Sequence, residues 1–197
     1  MTEVLDKSGV KWEIFPGEGA FYGPKVEFSL RDSLDRIWQA GTLQVDFFMP
    51  ERLGAYYITE TGEKKPPVML HRAIIGSLER FIGILLEETG GDLPLWLAPI
   101  QAVVVNITDD QREYAEKVTI ELKKFSYRVH CDLRNEKIGF KIREHSMAKV
   151  PYIIVVGNKE MSDNTIAVRR GNGEDLGQIS VEKLAAEIMM SDLANKI

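Results

Sequence analysis

The chain has 197 residues, of which 44% are hydrophobic and 28% charged, and its formal net charge is −5. This length allows one large or two modest domains, and the balance of residue types is typical of a globular protein. No segment has the apolar length of a membrane span and the first residues lack a signal-peptide pattern, so we expect a cytoplasmic protein without membrane contact.

The first half of the chain is predicted to form an antiparallel sheet of the α+β class. Two prolines precede a strand over 68–75, and Ser77 is a good N-cap for a helix over 78–89 that ends at Gly90 and Gly91. Ahead of this unit, apolar alternation and turn residues predict a short helix over 1–8, strands over 11–15, 23–31 and 37–48, and a long connection over 50–67.

The pattern changes near Pro94 and Pro99, which predicts two domains, 1–98 and 99–197. Beyond this boundary strands and helices alternate, as in an α/β domain with a mixed sheet. Thr108 and Gln111 form a capping-box pattern at the start of one helix. The expected strands are 100–106, 128–133, 152–156, 165–170 and 177–180; the expected helices are 108–125, 138–148 and 181–194, with a turn over 157–164.

An imidazole and a guanidinium group lie close to the predicted strand-to-helix junction. His71 belongs to the strand, and Arg80 belongs to the first turn of the helix. An arginine is unfavourable there, because the N-terminus of a helix is already the positive end of its dipole. A satisfied histidine and a solvated arginine are the structural interpretation, whereas the functional interpretation is that Arg80 holds an anionic ligand.

The sequence around this junction resembles a known family. Residues 71–81, HRAIIGSLERF, resemble motif 3 of class II aminoacyl-tRNA synthetases and are close in wording to the bacterial threonyl-tRNA synthetase family. Three further segments of that family recur in the same order: GEGAFYGPK at 17–25, WQAGTLQVDF at 38–47 and DLRNEKIGFKIREH at 132–145. The resemblance implies the later part of a class II catalytic core followed by an anticodon-binding domain.

The resemblance also assigns substrate-binding residues in the first domain. It implies that Gln39 and Arg80 bind ATP, which acts with magnesium, and that Tyr22, Lys25 and Gln44 bind threonine. The structural alternatives are a glycine-rich hairpin turn for 17–25 and backbone partners for the two glutamines.

His71 matches a zinc-binding histidine of the family. A zinc ion with an open position can take the amino group and the hydroxyl of threonine together, which rejects valine. The family uses one cysteine and two histidines, but Cys131, His130 and His145 all belong to the second domain. We therefore expect an incomplete zinc site. Motifs 1 and 2 are also missing from this chain, so we expect homodimers only of the full-length enzyme and no aminoacylation by this chain alone.

Basic residues are concentrated in the second domain. Residues 128–170 contain nine Lys or Arg and five Asp or Glu, a local charge of +4 that leaves −9 for the rest. Lys137, Lys141 and His145 are spaced as a basic stripe along one helix, and we expect this stripe to contact phosphates together with Arg134, Arg143 and Lys149. A solvated helix face is the structural alternative.

Sequence-specific binding of RNA requires hydrogen bonds to the edges of unpaired bases. The resemblance assigns this role to Asn135, Lys137, Glu160 and Arg169, which would contact the anticodon of threonine tRNA. For Glu160 and Arg169 the structural alternative is an exposed ion pair of little consequence.

Two hypotheses follow for the whole chain. It is part of a threonine-tRNA ligase, holding motif 3 and the anticodon-reading domain but inactive alone. Alternatively, it is a free-standing synthetase-like protein that binds tRNA or regulates without catalysis.

Overall fold

The computed structural model describes residues 1–190, and the end of the predicted helix 181–194 lies outside them. The chain forms two compact units, Met1–Glu88 and Thr89–Ile197. The sequence-based boundary at 98/99 lies within the second unit, where Leu95 and Ala98 are buried. Among the described residues, no helix is both long enough and apolar enough to cross a bilayer.

The first unit contains a three-stranded antiparallel sheet in the order β1-β2-β5. The region of the predicted connection over 50–67 holds two short elements, a helical turn that begins at Met49 and a hairpin. Each strand of the hairpin has two residues, which is too short to show alternation in the sequence. The elements in chain order are α1 (Thr2–Ser8), β1 (Lys25–Arg31), β2 (Ile37–Asp46), α2 (Met49–Arg52), β3 (Tyr57–Ile58), β4 (Lys64–Lys65), β5 (Met69–Ala73) and α3 (Leu78–Thr89).

The strand predicted over 11–15 is wrong. These residues form no strand, and Ile14 and Phe15 are exposed. Alternation makes a segment suitable for a sheet, but a strand also needs a neighbour to satisfy its backbone groups, and among residues 1–190 no strand pairs with this segment.

A bulge in β2 changes which side chains share a face. The register shifts between Phe28 and Ser29 of β1, so that one residue of β2, Ala40, is extra. An extra residue exchanges the two faces of the strand beyond it. Gln39 therefore lies on the same face of the sheet as Gln44, although regular alternation would place these two side chains on opposite faces.

The second unit contains a five-stranded mixed sheet, which confirms the predicted α/β class. Its order is β10-β9-β8-β6-β7, with β6, β7 and β8 parallel and β9 and β10 antiparallel. The predicted turn over 157–164 contains a short helix, α6. The elements are β6 (Ala102–Asn106), a 3-10 turn (Asp109–Gln111), α4 (Arg112–Lys124), β7 (Val129–Asp132), α5 (Ile138–Met147), β8 (Tyr152–Val156), α6 (Asn158–Asp163), β9 (Ile166–Arg170), β10 (Asp175–Ile179), α7 (Val181–Lys183) and a π-helical turn (Leu184–Met189).

Apolar side chains are buried on both faces of this sheet. Every residue of the central strand β6 is buried, as expected for a parallel strand covered on both sides. One face packs against α4 and the segment 181–189, through residues such as Ile154 and Leu122. The other face, which includes Val103 and Ile153, packs against Ile138 of α5.

Candidate functional site

In the first unit, four of the predicted substrate residues lie together. Tyr22 Oη donates a hydrogen bond to Gln44 Oε1. Gln44 on β2 lies directly opposite Lys25 on β1 and His71 on β5, so these three side chains share one face of the sheet. The ring centroids of Tyr22 and His71 are 5.6 Å apart. The half-buried Lys25 also forms an ion pair with Glu27. The strand register therefore collects an amide, a phenol, an imidazole and an ammonium group.

Gly23 allows Tyr22 to lie against β2. A Cβ atom at Gly23 would collide with the carbonyl oxygen of Val45. The backbone around this glycine continues the pairing of β1: Val45 N–H donates to Pro24 O at 3.0 Å, and Phe47 N–H donates to Tyr22 O at 3.2 Å. The glycine is therefore required for a close backbone approach, which holds the Tyr22 side chain over Gln44.

Asp46 orients His71, and sequence analysis missed this role. The Asp46 side chain is fully buried, and its Oδ2 lies 2.7 Å from His71 Nε2. Its other oxygen accepts hydrogen bonds from the backbone N–H groups of Phe48 and Met49. Burial disfavours the charged form of Asp46, but these hydrogen bonds outweigh burial and lower its pKa. In the sequence, the signal for this role is an aspartate three residues before Met49, the first residue of α2. A carboxylate at the start of a helix can accept hydrogen bonds from backbone N–H groups that have no partner within the helix.

The zinc site expected to be incomplete has one ligand candidate in the first unit. Within residues 1–190, no group of three His, Cys, Asp or Glu side chains is arranged to hold a metal ion. If Nε2 of His71 donates to Asp46, Nδ1 is the ring nitrogen left to bind another ligand. One imidazole does not make a zinc site.

Gln39 and Arg80 form a second polar pair in this unit. Ser77 caps α3, its Oγ accepting a hydrogen bond from Arg80 N–H at 3.3 Å. The exposed Arg80 side chain reaches back to β2, where Nη1 donates to Gln39 O at 3.4 Å. Its guanidinium also lies 5.7 Å from the centre of the Trp38 ring. The start of the helix therefore presents a cation beside the exposed Gln39.

In the second unit, three of the four predicted base-contacting residues follow the carboxyl ends of parallel strands. Asn135 and Lys137 are exposed in the loop between β7 and α5, and Glu160 is half-buried in α6, which follows β8. Because β7 and β8 are both parallel to β6, these two segments begin at the same edge of the sheet.

Arg169 lies on β9 rather than at this edge. It pairs with Ile153, whose side chain packs on the α5 face of the sheet. Residues directly opposite on neighbouring strands point to the same face, so Arg169 also lies on the α5 face. Arg169 therefore shares this face with the helix that follows the Asn135 and Lys137 loop, although it is nearer the opposite edge.

Two of these residues also have structural partners. Glu160 Oε2 accepts a hydrogen bond from Gly157 N–H at 3.0 Å, which caps the start of α6. Arg169 Nη2 lies 3.6 Å from Asp175 Oδ2, a distance typical of a weak surface ion pair.

The predicted basic stripe is wrong for two of its three members. Lys137 is exposed, but Lys141 is only 1% exposed and His145 only 9%. Their spacing explains the error: Lys141 and His145 join Ile138 and Ile142 in an i, i+3, i+4, i+7 pattern, which describes the buried face of a helix.

Arg134, expected to contact phosphates, instead has carboxylate partners. Its Nη2 lies 2.7 Å from Asp132 Oδ2 and 2.9 Å from Glu144 Oε2. These hydrogen bonds raise the pKa of Arg134 above its ordinary value. The positive charge of its guanidinium is therefore offset by these two carboxylates, which makes Arg134 a poor phosphate contact.

Comparison with known proteins agrees with the two-unit architecture. Residues 2–89 match the family model described as "tRNA synthetase class II core domain (G, H, P, S and T)". Residues 101–189 match the model described as "Anticodon binding domain". A curated threonine-tRNA ligase from Coxiella burnetii is 60% identical over 188 residues, which is 95% of this chain and 29% of that protein. The chain is similar to threonine-tRNA ligases over nearly its whole length.

Two further comparisons agree with this similarity. The threonine-tRNA ligase of Marinobacter nauticus is 57% identical over 196 residues, 100% of this chain and 30% of that protein. A crystal structure described as the RNA binding domain of threonyl-tRNA synthetase from Cryptosporidium parvum has a TM-score of 0.86 and 38% identity, and covers 96% of this chain and 48% of that chain. The chain thus spans less than a third of the length of these two curated relatives.

Proposed function

We propose that this chain is a portion of a threonine-tRNA ligase whose second unit binds the anticodon of threonine tRNA. The observation that carries the proposal is the pair of exposed residues, Asn135 and Lys137, in a loop of a domain that matches the anticodon-binding family. An amide and an ammonium group can hydrogen-bond to the edges of unpaired bases.

Glu160 and Arg169 extend this proposed surface. A carboxylate accepts hydrogen bonds from an exocyclic amine, and a guanidinium donates two parallel bonds to one base edge. Because the ion pair between Arg169 and Asp175 is weak, breaking it so that the guanidinium can bind a base costs little free energy. Base contacts by these two residues would add sequence preference to the affinity that phosphate contacts supply.

The first unit is proposed to supply part of the site where threonine is activated with ATP. Tyr22, Lys25 and Gln44 would bind threonine on one face of the sheet, and His71 would be one of three zinc ligands in the longer enzyme. Gln39 and Arg80 would bind ATP, with Arg80 opposing the phosphate charge. Magnesium accompanies ATP in class II synthetases, and no described residue is assigned to it here.

The test of anticodon binding is discrimination between tRNAs. Binding of the 197-residue chain to a threonine tRNA transcript is compared by fluorescence anisotropy with binding to transcripts that carry single anticodon substitutions. Arg169→Lys keeps the charge but removes the two parallel donors of the guanidinium, so we expect it to lower the preference for the threonine anticodon by about 1 to 3 kcal/mol. Lys124→Ala, an exposed lysine of α4 on the other face, should change neither affinity nor preference. Equal affinity of the unaltered chain for all transcripts would refute the proposal.

A second measurement concerns catalysis. The chain alone should give ATP-pyrophosphate exchange no higher than background, because two of the three zinc ligands and two of the three class II motifs are missing. Exchange above background would overturn this expectation.

A free-standing RNA-binding protein is the competing function. The arrangement of Tyr22, Gln44 and His71 favours the enzyme, because RNA binding by the second unit does not require these residues. The mass of the native protein separates the two. The predicted homodimer and cytoplasmic location stay predictions.

A further inference from the structure

A buried polar network lies along the edge of the second unit's sheet where the parallel strands end. Its centre is the ammonium group of Lys141, which donates to Asn106 Oδ1 at 2.9 Å and to the backbone oxygens of Asn106 and Asp132, both at 3.2 Å. Asn106 ends β6 and Asp132 ends β7. Three acceptors match the three donors of an ammonium group, so Lys141 joins the ends of two strands.

One arm of the network reaches the loop that carries Asn135 and Lys137. The Asp132 carboxylate accepts hydrogen bonds from Arg134 N–H at 3.1 Å, from Arg134 Nε at 2.9 Å and from Arg134 Nη2 at 2.7 Å. His145 Nε2 lies 2.9 Å from the same carboxylate. These contacts fix the backbone of Arg134, the residue immediately before Asn135.

The other arm reaches the helix that carries Glu160. Asn106 Nδ2 donates to Thr108 O at 2.8 Å, and Thr108 N–H donates to Gln111 Oε1 at 2.8 Å. Gln111 is almost fully buried, and its Nε2 donates to Asn158 Oδ1 at 2.6 Å. Asn158 is the first residue of α6, two positions before Glu160.

The cost of this network argues against a role in stability alone. Burial disfavours the charged form of Lys141 and lowers its pKa. Lys141 occupies the apolar face of α5 between Ile138 and Ile142, where an uncharged side chain would pack without this penalty. A buried ionic network is often no more stabilising than well-packed apolar residues, but it specifies one arrangement of the groups that it joins. Within the described residues, no buried side-chain polar atom lacks a partner.

We propose that this network, centred on Lys141, is a positioning device that sets the spacing between the Asn135 and Lys137 loop and the Glu160 helix. Lys141 and Gln111 are buried and act through the residues they hold, without touching RNA. The inference rests on the proposed anticodon binding, and it predicts that discrimination between anticodons depends on two residues that the bases never meet.

The experiment measures dissociation constants for the threonine tRNA transcript and for transcripts substituted at single anticodon positions, well below the unfolding temperature. Lys141→Met replaces the unbranched stem of the lysine with one of similar shape and removes the ammonium group with its three donors, so discrimination should fall about tenfold at every position where the unaltered chain discriminates. Gln111→Leu removes only the arm to α6. It should lower discrimination at the position that Glu160→Ala affects and leave unchanged the position that Asn135→Ala affects.

A matched control separates positioning from loss of stability. Leu122→Ala creates a cavity on the opposite face of the sheet and should lower the thermal midpoint while leaving discrimination unchanged. Affinity for the substituted transcripts should stay within about twofold in Lys141→Met, because phosphate contacts are sequence-independent.

Two results would count against the inference, and they are distinguishable from failure of the proposed function. If the unaltered chain discriminates and Lys141→Met or Gln111→Leu discriminates equally well, the positioning role is refuted while anticodon binding stands. If Leu122→Ala lowers discrimination as much as Lys141→Met does, the effect is one of stability and the inference fails. An unaltered chain that does not discriminate overturns the proposed function together with this inference.

Discussion

The two units of this chain hold their strands together by different means. In the second unit every residue of β6 is buried, and apolar clusters cover both faces of the sheet. In the first unit the buried residues are Asp32, Gly41, Asp46 and Pro50, and β1 is exposed along most of its length. The first sheet is therefore a surface without an apolar core, whereas the second has apolar clusters on both faces.

In the first unit, hydrogen bonds to buried carboxylates take over part of the role of packing. Asp32 Oδ2 accepts bonds from Trp38 Nε1 at 2.7 Å and from Arg36 Nε at 2.6 Å. Apolar side chains such as Leu70 remain exposed. Because these apolar side chains stay in contact with water, burial contributes little to the stability of this sheet, so we expect the first unit to be the less stable. The difference shows that a polar site can be preformed by strand register alone, without a closed core.

The largest expected effect comes from equal truncations in the two units. Ile154 is 0% exposed and Ile82 is 50% exposed. Ile154→Ala should lower the free energy of unfolding of the second unit by about 2 to 5 kcal/mol, since it leaves a cavity. Ile82→Ala should change the free energy of unfolding of the first unit by less than about 0.5 kcal/mol. Urea unfolding followed by circular dichroism measures both, and equal losses would contradict the contrast between the units.

The next effect tests the polar network of the second unit. Asp132→Asn removes a charged acceptor from Arg134 and His145, and should cost about 1.5 to 3 kcal/mol in the free energy of unfolding. Asp109→Asn affects only a surface ion pair with Arg112 and is the matched control, with an expected change below about 0.5 kcal/mol. Similar midpoints of urea unfolding for the two variants would show that the network contributes no stability.

Two glycines of the first unit should respond with opposite signs. A Cβ at Gly41 would lie 2.6 Å from Ile74 O and 2.9 Å from Ala73 O, so Gly41→Ala should destabilise the first unit by about 1 to 3 kcal/mol. A Cβ at Gly83, inside α3, would meet nothing within 4 Å, and Gly83→Ala should stabilise it by about 0.5 to 1 kcal/mol. Thermal unfolding of both variants measures the two signs. A stabilising Gly41→Ala would show that backbone packing at the β2 bulge is not tight, and a destabilising Gly83→Ala would contradict the expected gain in helix propensity.

The smallest effect is the dependence of the first unit on acid. Burial opposes ionisation of Asp32, but hydrogen bonds from Trp38 and Arg36 outweigh it and lower the pKa of Asp32 to about 2, from an ordinary value of 3.8. A carboxyl group with a lowered pKa stabilises the folded state above its unfolded pKa, and this contribution is lost as the pH falls through the folded pKa. The thermal midpoint of the first unit should therefore decrease as the pH is lowered from about 4 to about 2.

The control for this prediction is Asp32→Asn, which has no carboxyl group to titrate at this position. Tryptophan fluorescence follows the transition, because Trp38 donates directly to Asp32. If the variant and the unaltered chain lose stability with the same dependence on pH in this range, Asp32 is not the responsible group.

Local sequence signals predicted most of the regular structure. The cap at Ser77, the capping box at Thr108 and Gln111, and the buried run of β6 all occur as expected. Such signals depend on a few neighbouring residues, so they survive whatever the rest of the chain does. The isolated segment 11–15 shows the limit, because its alternation could not reveal that no strand within the described residues pairs with it.

The sequence by itself determined the resemblance to class II synthetases, the two sheet classes and the residues proposed to bind substrates and bases. Tertiary structure decided which of those residues meet: the bulge at Ala40 brings Gln39 onto the face of Gln44, and Asp46 fixes the ring of His71. It also decided that Lys141 is buried rather than exposed to RNA. The physical reason is that register, bulges and burial depend on partners distant in the chain, whereas helix and strand preferences are encoded locally.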